Sequence, residues 1–175
     1  MIKLDVIWSI FFYSVAGFGL EVAFAWVTGS AKKDRKCMLV LPMCPVYGLG
    51  AAAILALPPF VRARVWLLQP SAALVATAAE YLMSLFYEKV WRVSFWDYSG
   101  LPGSLHGRVC LPFSVAWSLL SLPLVFWLQP LVEGLVAALP DLLLVPLGMV
   151  FAVDFALTGH VLRRTEDTDS LKWYV

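Results

Sequence analysis

Charge is what this sequence has least of: Asp, Glu, Lys and Arg hold 14% of its 175 positions and nearly cancel, to a net +1. That supply is too small and too balanced for a surface that tracks a nucleic-acid backbone, so a nucleic-acid partner is excluded. Histidine occurs twice and cysteine three times, with no C-x-x-C and no H-x-x-x-H pair. Cys37, Cys44 and Cys110 therefore read as small buried thiols rather than metal ligands. The one alternative pairing is His106 with Cys110, four apart and able to share a face if a helix runs through both. No G-x-x-x-x-G-K-[ST] segment is present, so this chain supplies no ATP-hydrolysing loop of its own. No G-x-S-x-G elbow occurs either, and no histidine pairs with a cysteine, which leaves no recognisable nucleophile constellation.

What fills the chain instead is apolar. Hydrophobic residues make up 61% of it and the mean hydropathy is +0.81, against about 45–50% apolar residues in a soluble domain. Spans of about 20 mostly apolar residues are needed to cross a hydrocarbon core of about 30 Å. The windows that qualify run from about Leu4 to Thr28, Val46 to Phe60, Trp66 to Glu88, Val109 to Leu128 and Leu142 to Leu162. They are continuously apolar, unlike the alternating strands of a membrane barrel. The expected fold class is all-α and polytopic, with about five transmembrane helices in one bundle over residues 1–162. A polar cytoplasmic tail, 163–175, follows and reads as a solvated end. Ala23-Phe24-Ala25 has the form of a signal cleavage site, but Asp5 offsets Lys3 and Glu21 interrupts the run, so the first helix is read as retained.

Basic residues set the orientation. Lys32, Lys33, Arg35, Lys36, Lys89, Arg92, Arg108, Arg163, Arg164 and Lys172 would fall on one side, and only Lys3, Arg62 and Arg64 on the other. With five spans, this puts the N-terminus outside and the C-terminus in the cytoplasm. The second span is the weak element of the scheme. Pro42, Pro45, Gly48 and Gly50 surround its start, and a re-entrant path there would change the count.

Three carboxylates interrupt the hydrophobic windows: Glu21, Glu80 and Asp154. Such groups are costly in lipid and turn toward a bundle interior, a cavity or a partner charge. Ser14, Gly17 and Glu21 share a helix face, as do Thr77, Glu80, Tyr81, Ser84 and Glu88, and as do Asp154 and Thr158. Counted from the cytoplasmic ends of their spans, the three acids lie seven or eight residues in, about 11–12 Å deep. They are therefore expected in one layer, with Arg108 as its nearest cation.

Two connectors carry the remaining signals. Asp34 to Gly50 begins basic and includes Pro42 and Pro45, whose spacing forces extended backbone before the second span. Lys89 to Gly107, between the third and fourth spans, is rich in interfacial aromatics, among them Trp91, Phe95, Trp96 and Tyr98. Its glycines would bring Asp97, His106 and Arg108 together as a cap over the acidic layer. The ordered set Cys44-Pro45-Val46-Tyr47-Gly48-x-Gly50, Glu80-Tyr81 with Glu88, Trp96-Asp97-Tyr98-Ser99, Gly107-Arg108-Val109-Cys110-Leu111 and Trp117 resembles the CmpB-like family. That family is labelled as type IV ABC-transporter permeases, and the resemblance covers about Gly17 to Pro130. It implies that Glu21 is the acid the family carries on its first helix.

Two functions follow from these residues. The favoured one is a transport component, a permease-like subunit of the bacterial cytoplasmic (inner) membrane. Its site candidates are Glu21, Glu80, Glu88, Asp97, Tyr98, His106, Arg108 and Asp154. Cys44, Pro45, Tyr47, Gly48, Gly50, Trp96, Gly107, Cys110 and Trp117 are expected to shape that site. ATP would enter only through a separate nucleotide-binding subunit, with no cofactor or metal in this chain. Five helices are few for a complete pathway, which predicts a homo-oligomer or a partner chain, in contact with membrane lipid. The alternative is an integral membrane enzyme acting on a lipid or lipid-linked substrate. There Glu80 or Asp97 would serve as acid or base, and Arg108 would bind an anionic headgroup.

Overall fold

Prolines mark where the helices begin. The structure, a computed structural model, describes residues 4–29 and 36–172. Helix α1 spans Leu4–Val27, α2 Pro45–Leu55, α3 Pro59–Arg62, α4 Val65–Phe86, α5 Leu111–Pro123, α6 Gln129–Ala137 and α7 Leu144–Thr165. Pro45, Pro59, Pro112 and Pro130 sit in first turns, where a missing N–H costs no helical bond. A π turn, Tyr87–Trp91, extends α4, and a second, Leu124–Leu128, joins α5 to α6 just after Pro123. Short 3-10 turns occupy Asp141–Leu143 and Thr168–Leu171. Among the described residues there is no strand, only an isolated bridge between Leu105 and Val109.

Among the described residues three helical stretches are long and apolar enough to cross a membrane: Asp5–Val27, Leu111–Ala137 and Asp141–Thr165. Helix α4 has the length, 22 residues, but its hydropathy is lowered by the polar side chains it turns inward. Its buried positions are Leu68, Ala72, Ala76, Glu80 and Ser84, one every fourth residue, which is a single stripe on a helix. Alanines on that stripe admit α2 and α5 closely, as helices in a bilayer require. The expected second span is divided. Eleven helical residues in α2 reach only about 16 Å, and α3 is a separate turn after Pro58.

Before α2 the chain runs without a helix from Lys36 to Cys44, yet Met38, Met43 and Cys44 are buried. Backbone in that position needs its amides satisfied by protein. The Leu39 amide donates to Thr158 Oγ1 (2.9 Å), Val40 to Asp154 Oδ1 (3.0 Å), Leu41 to Asp154 Oδ2 (2.7 Å) and Cys44 to the Ser14 carbonyl (2.9 Å). Helix α7 thus carries a polar rack for an unwound segment.

Buried residues gather in separate clusters, a small one of Cys37, Cys44 and Val46 and two larger ones. In one of the larger two, Tyr13, Ala51, Ile54, Leu68, Ala76 and Leu124 pack together. In the other, Met38, Tyr87, Trp91, Leu162 and Leu171 do. Leu171 overturns the expectation of a solvated tail: its side chain has no solvent exposure, and the chain through Lys172 folds back on the bundle. Lys3, Lys32, Lys33, Arg35, Trp173 and Tyr174 lie outside the described residues.

Candidate functional site

Two of the three acids meet and the third does not. Helix α1 carries Gly17 and Glu21 one turn apart, and α2 packs across it with Tyr47 lying on Gly17. A Cβ at Gly17 would overlap the Tyr47 ring. With hydrogen there instead, the tyrosine hydroxyl reaches Glu21 and donates to Oε1 at 2.6 Å. Glu80 enters the same space from α4 and is 6% exposed. Its Oε1 accepts from the Tyr98 hydroxyl and its Oε2 from Trp117 Nε1, each at 3.2 Å.

The space between them is a cavity of about 360 Å³. Its polar end holds Glu21, Glu80, Tyr47 and Tyr98, and its aromatic walls include Trp96, Phe113 and Trp117. Tyr98 stacks on Phe113 with ring centres 4.6 Å apart, and Tyr47 leans on Trp117 at 5.4 Å. Gly50 lies beneath the far edge of the Trp117 ring. Leu20, Phe24 and Leu119 form the mouth and are all exposed. A smaller cleft of about 90 Å³ adjoins it, sharing Glu21, Tyr47, Trp96 and Tyr98 and reaching Lys36, Asp169 and Lys172.

The connector after α4 delivers Tyr98 to this site by a hairpin rather than a helix. Leu105 to Arg108 form a two-residue turn in which His106 (φ 55°) and Gly107 (φ 71°) are both left-handed and the Arg108 amide bonds the Leu105 carbonyl at 3.1 Å. That is the pattern of a type I′ turn. Gly107 also needs to be bare because a Cβ would come within 2.7 Å of Asp97 Oδ1. The two arms are tied by Tyr98 N–H to the Gly107 carbonyl (2.8 Å) and Trp96 Nε1 to the Arg108 carbonyl (2.8 Å). Burial, then the nearby Glu80, holds the Tyr98 hydroxyl well above the ordinary tyrosine range, so it stays protonated and donates.

The expected cap of Asp97, His106 and Arg108 does not assemble. Asp97 is exposed and turns back to accept from the Ser99 hydroxyl (2.5 Å) and amide (2.9 Å), which hold its carboxyl below the usual aspartate range. His106 Nδ1 meets the Tyr81 hydroxyl at 3.1 Å. Arg108 pairs with Glu88, which also accepts from Ser84, and its guanidinium lies 5.4 Å above the Tyr81 ring. These residues make a second polar group on the neighbouring face of α4. Arg108 is therefore not the counter-ion of Glu21 or Glu80, because Glu88, in the π turn that extends α4, takes it first.

Asp154 leaves the layer for a similar reason. Its carboxylate, 2% exposed, is occupied by the Val40 and Leu41 amides and by Thr158 (3.3 Å). His106 precedes α5 in a turn, so it and Cys110 share no helix face. Cys110 and Cys44 are extended residues directly before α5 and α2, and Gly48 packs on Ser14 and Ile10. All three cysteines are buried, and no disulfide joins any of them among the described residues.

Phe24 and Phe113 belong to the cavity although nothing in the sequence singles them out, since an apolar wall has the same composition as a lipid-facing one. The wall roles of Tyr47 and Trp117 are legible in part, as members of the ordered motifs. No curated protein and no solved structure matches the chain. The family described as "Putative ABC-transporter type IV" matches residues 8–159, reaching beyond the motif-bearing stretch at both ends, and this chain belongs to that CmpB-like family.

Proposed function

We propose that the chain is the membrane-embedded, permease-like subunit of an ABC-type transporter, and that the Glu21–Glu80 cavity holds its cargo in passage. The observation that carries this is the shared cavity. Carboxylates from α1 and α4, with tyrosines from α2 and the 92–110 connector, converge on space that a scaffold would fill with apolar side chains. Family membership supports a transporter component.

In this reading the chain crosses five times: the three long apolar stretches, α1, Leu111–Ala137 and α7, are joined by a broken second crossing of 37–43 followed by α2, and by α4. Half-helices preceded by unwound, protein-satisfied backbone suit a segment that must line a path. Lys36 and Lys172 border one cleft, whereas Arg62 lies with Asp5 and Glu133 beside another. That separation favours an outside N-terminus in a bacterial cytoplasmic membrane. The chain has no ATP-binding loop, so energy must come through a nucleotide-binding subunit, and a second copy or another chain completes the pathway.

Capture of the full chain from native membranes in mild detergent tests this directly. The expected companion is a subunit carrying a P-loop. In vesicles of the captured complex, Glu80→Gln should leave assembly intact and abolish ATP-driven flux. Unimpaired flux from an assembled Glu80→Gln complex overturns the site. If the chain is instead isolated alone and converts lipid in detergent, the membrane-enzyme reading replaces the transport one.

A further inference from the structure

We propose that the groove between the π turn Tyr87–Trp91 and the last turns of α7 binds one anionic phospholipid, its phosphate on Arg163 and Arg164 and an acyl chain running down α7. This site is separate from the Glu21–Glu80 cavity and independent of the transport reading.

The groove is an open space of about 490 Å³ with two kinds of lining. Arg163, Arg164 and His160 reach it from α7 and are exposed, whereas Trp91 and Phe155, with ring centres 4.8 Å apart, form its floor. A guanidinium is charged at any physiological pH, so its attraction for an anion rests on no titration. Among the described residues no acid pairs with Arg163 or Arg164, and Glu166, the next carboxylate along the chain, is engaged by Arg92 at 3.4 Å. Arginines in a last turn also answer the negative end of the helix dipole, which accounts for their charge but not for the tryptophan in the same groove. Trp91 is 2% exposed, and its indole N–H makes no hydrogen bond among the described residues. The ring edge that bears this donor lies against Gly159, where a Cβ would come within 2.6 Å of Nε1, and both residues line the groove. An anion with several acceptor oxygens completes the buried donor and the two guanidinium groups together.

Depth turns the anion into a lipid. Asp141–Thr165 is long and apolar enough to cross a membrane, so the arginines at its end lie at headgroup level, where basic pockets between helices take anionic lipid heads. Phe155 also borders a second groove of about 450 Å³, which runs along α7 past Phe151 to Gly148 and is walled by Phe11 of α1 and Phe86 of α4. Gly148, Phe151, Phe155 and Gly159 follow one face of α7 and so join the two grooves. A free phosphate gains nothing from the apolar groove, whereas an acyl chain fills it.

Native mass spectrometry of the purified full chain in a non-ionic detergent, titrated with dioleoylphosphatidylglycerol or dioleoylphosphatidylcholine, tests the assignment. The expected result is a first phosphatidylglycerol held about tenfold or more tighter than phosphatidylcholine, with that preference lost in Arg163→Gln/Arg164→Gln. Both arginines are exposed, so this variant should elute as the wild type. Arg62→Gln/Arg64→Gln removes the same charge away from the groove and should keep the preference. Trp91→Phe, which keeps a ring and removes the N–H, should weaken phosphatidylglycerol several-fold. A preference unchanged in Arg163→Gln/Arg164→Gln, or lost equally in Arg62→Gln/Arg64→Gln, overturns the site. Inorganic phosphate that displaces the lipid at equal concentration overturns the lipid and leaves an anion site. If Arg163→Gln/Arg164→Gln keeps its lipid but loses a companion subunit on capture from native membranes, the groove is a protein interface and the proposal falls.

Discussion

Asp154 and Glu80 are both acids in long helices, both almost wholly buried, and they are held in opposite ways. Asp154 is surrounded by backbone: the Val40 and Leu41 amides fill its two oxygens, and Thr158 completes the rack. Its site is closed, and its work is to make unwound chain affordable away from water. Among the described residues, Glu80 is held by side chains from two other segments, and its carboxylate borders a cavity open toward the exterior of the bundle. Burial alone does not mark a functional acid. What distinguishes the two is whether the partners are the protein's own amides or a space that something else can fill.

The contrast can be broken at its strongest point first. Asp154→Ala strips the acceptor from two part-buried amide hydrogen bonds, and an amide left unsatisfied away from water costs about 1–3 kcal/mol. The expected outcome is loss of the monodisperse peak on size-exclusion chromatography in detergent; a wild-type profile would show that the 37–43 segment needs no rack. A smaller effect is expected at the hairpin that presents Tyr98. Gly107→Ala places a methyl group against Asp97 in a left-handed turn, which should cost about 1–3 kcal/mol. It should speed proteolysis between Ser94 and Arg108 while α7 stays protected, and equal cleavage rates would sever the hairpin from the site. The smallest effect belongs to Asp97. Its folded value is depressed, so its turn contributes fully above the ordinary aspartate pKa and is lost as pH falls through the lowered one. A ¹³C titration of the Asp97 carboxyl should show a midpoint below that of an unstructured aspartate; a midpoint at or above it would mean that the Ser99 bonds are absent in solution.

Much of the fold was legible because periodicity and hydropathy act locally. The ends of α1, α4 and α7 fall within three residues of the windows read from composition. The break in the second window was announced by Pro42, Pro45 and the following glycines, which disfavour an uninterrupted helix. Its depth was not announced, because that depends on Asp154 and Thr158, more than 110 residues away. The acids were visible as anomalies, and equal depth along each helix suggested a shared layer. Depth says nothing of which azimuth a side chain takes or who reaches it first: the Val40 and Leu41 amides claimed Asp154, and Glu88 claimed Arg108. Tyr98 reached Glu80 through a turn whose left-handed pair, His106 and Gly107, is only half signalled, since glycine takes such a conformation freely and histidine far less often than glycine. The tail was misread for a related reason, since one leucine among polar residues carries no periodic signal and yet Leu171 plugs the core.

Paired amide substitutions probe the contrast most directly. Gln at position 80 can offer its oxygen to the Trp117 N–H and its NH₂ to the Tyr98 hydroxyl, which can turn from donor to acceptor. Asn at position 154 faces two backbone N–H groups, neither able to accept. Thermal midpoints of Glu80→Gln and Asp154→Asn, measured in the same detergent, should therefore separate, the first staying near the wild type and the second falling by several degrees, at about 2–4 °C per kcal/mol. Equal losses, or a stable Asp154→Asn beside a collapsed Glu80→Gln, would contradict the division of these acids into one that holds the backbone and one that serves the cavity.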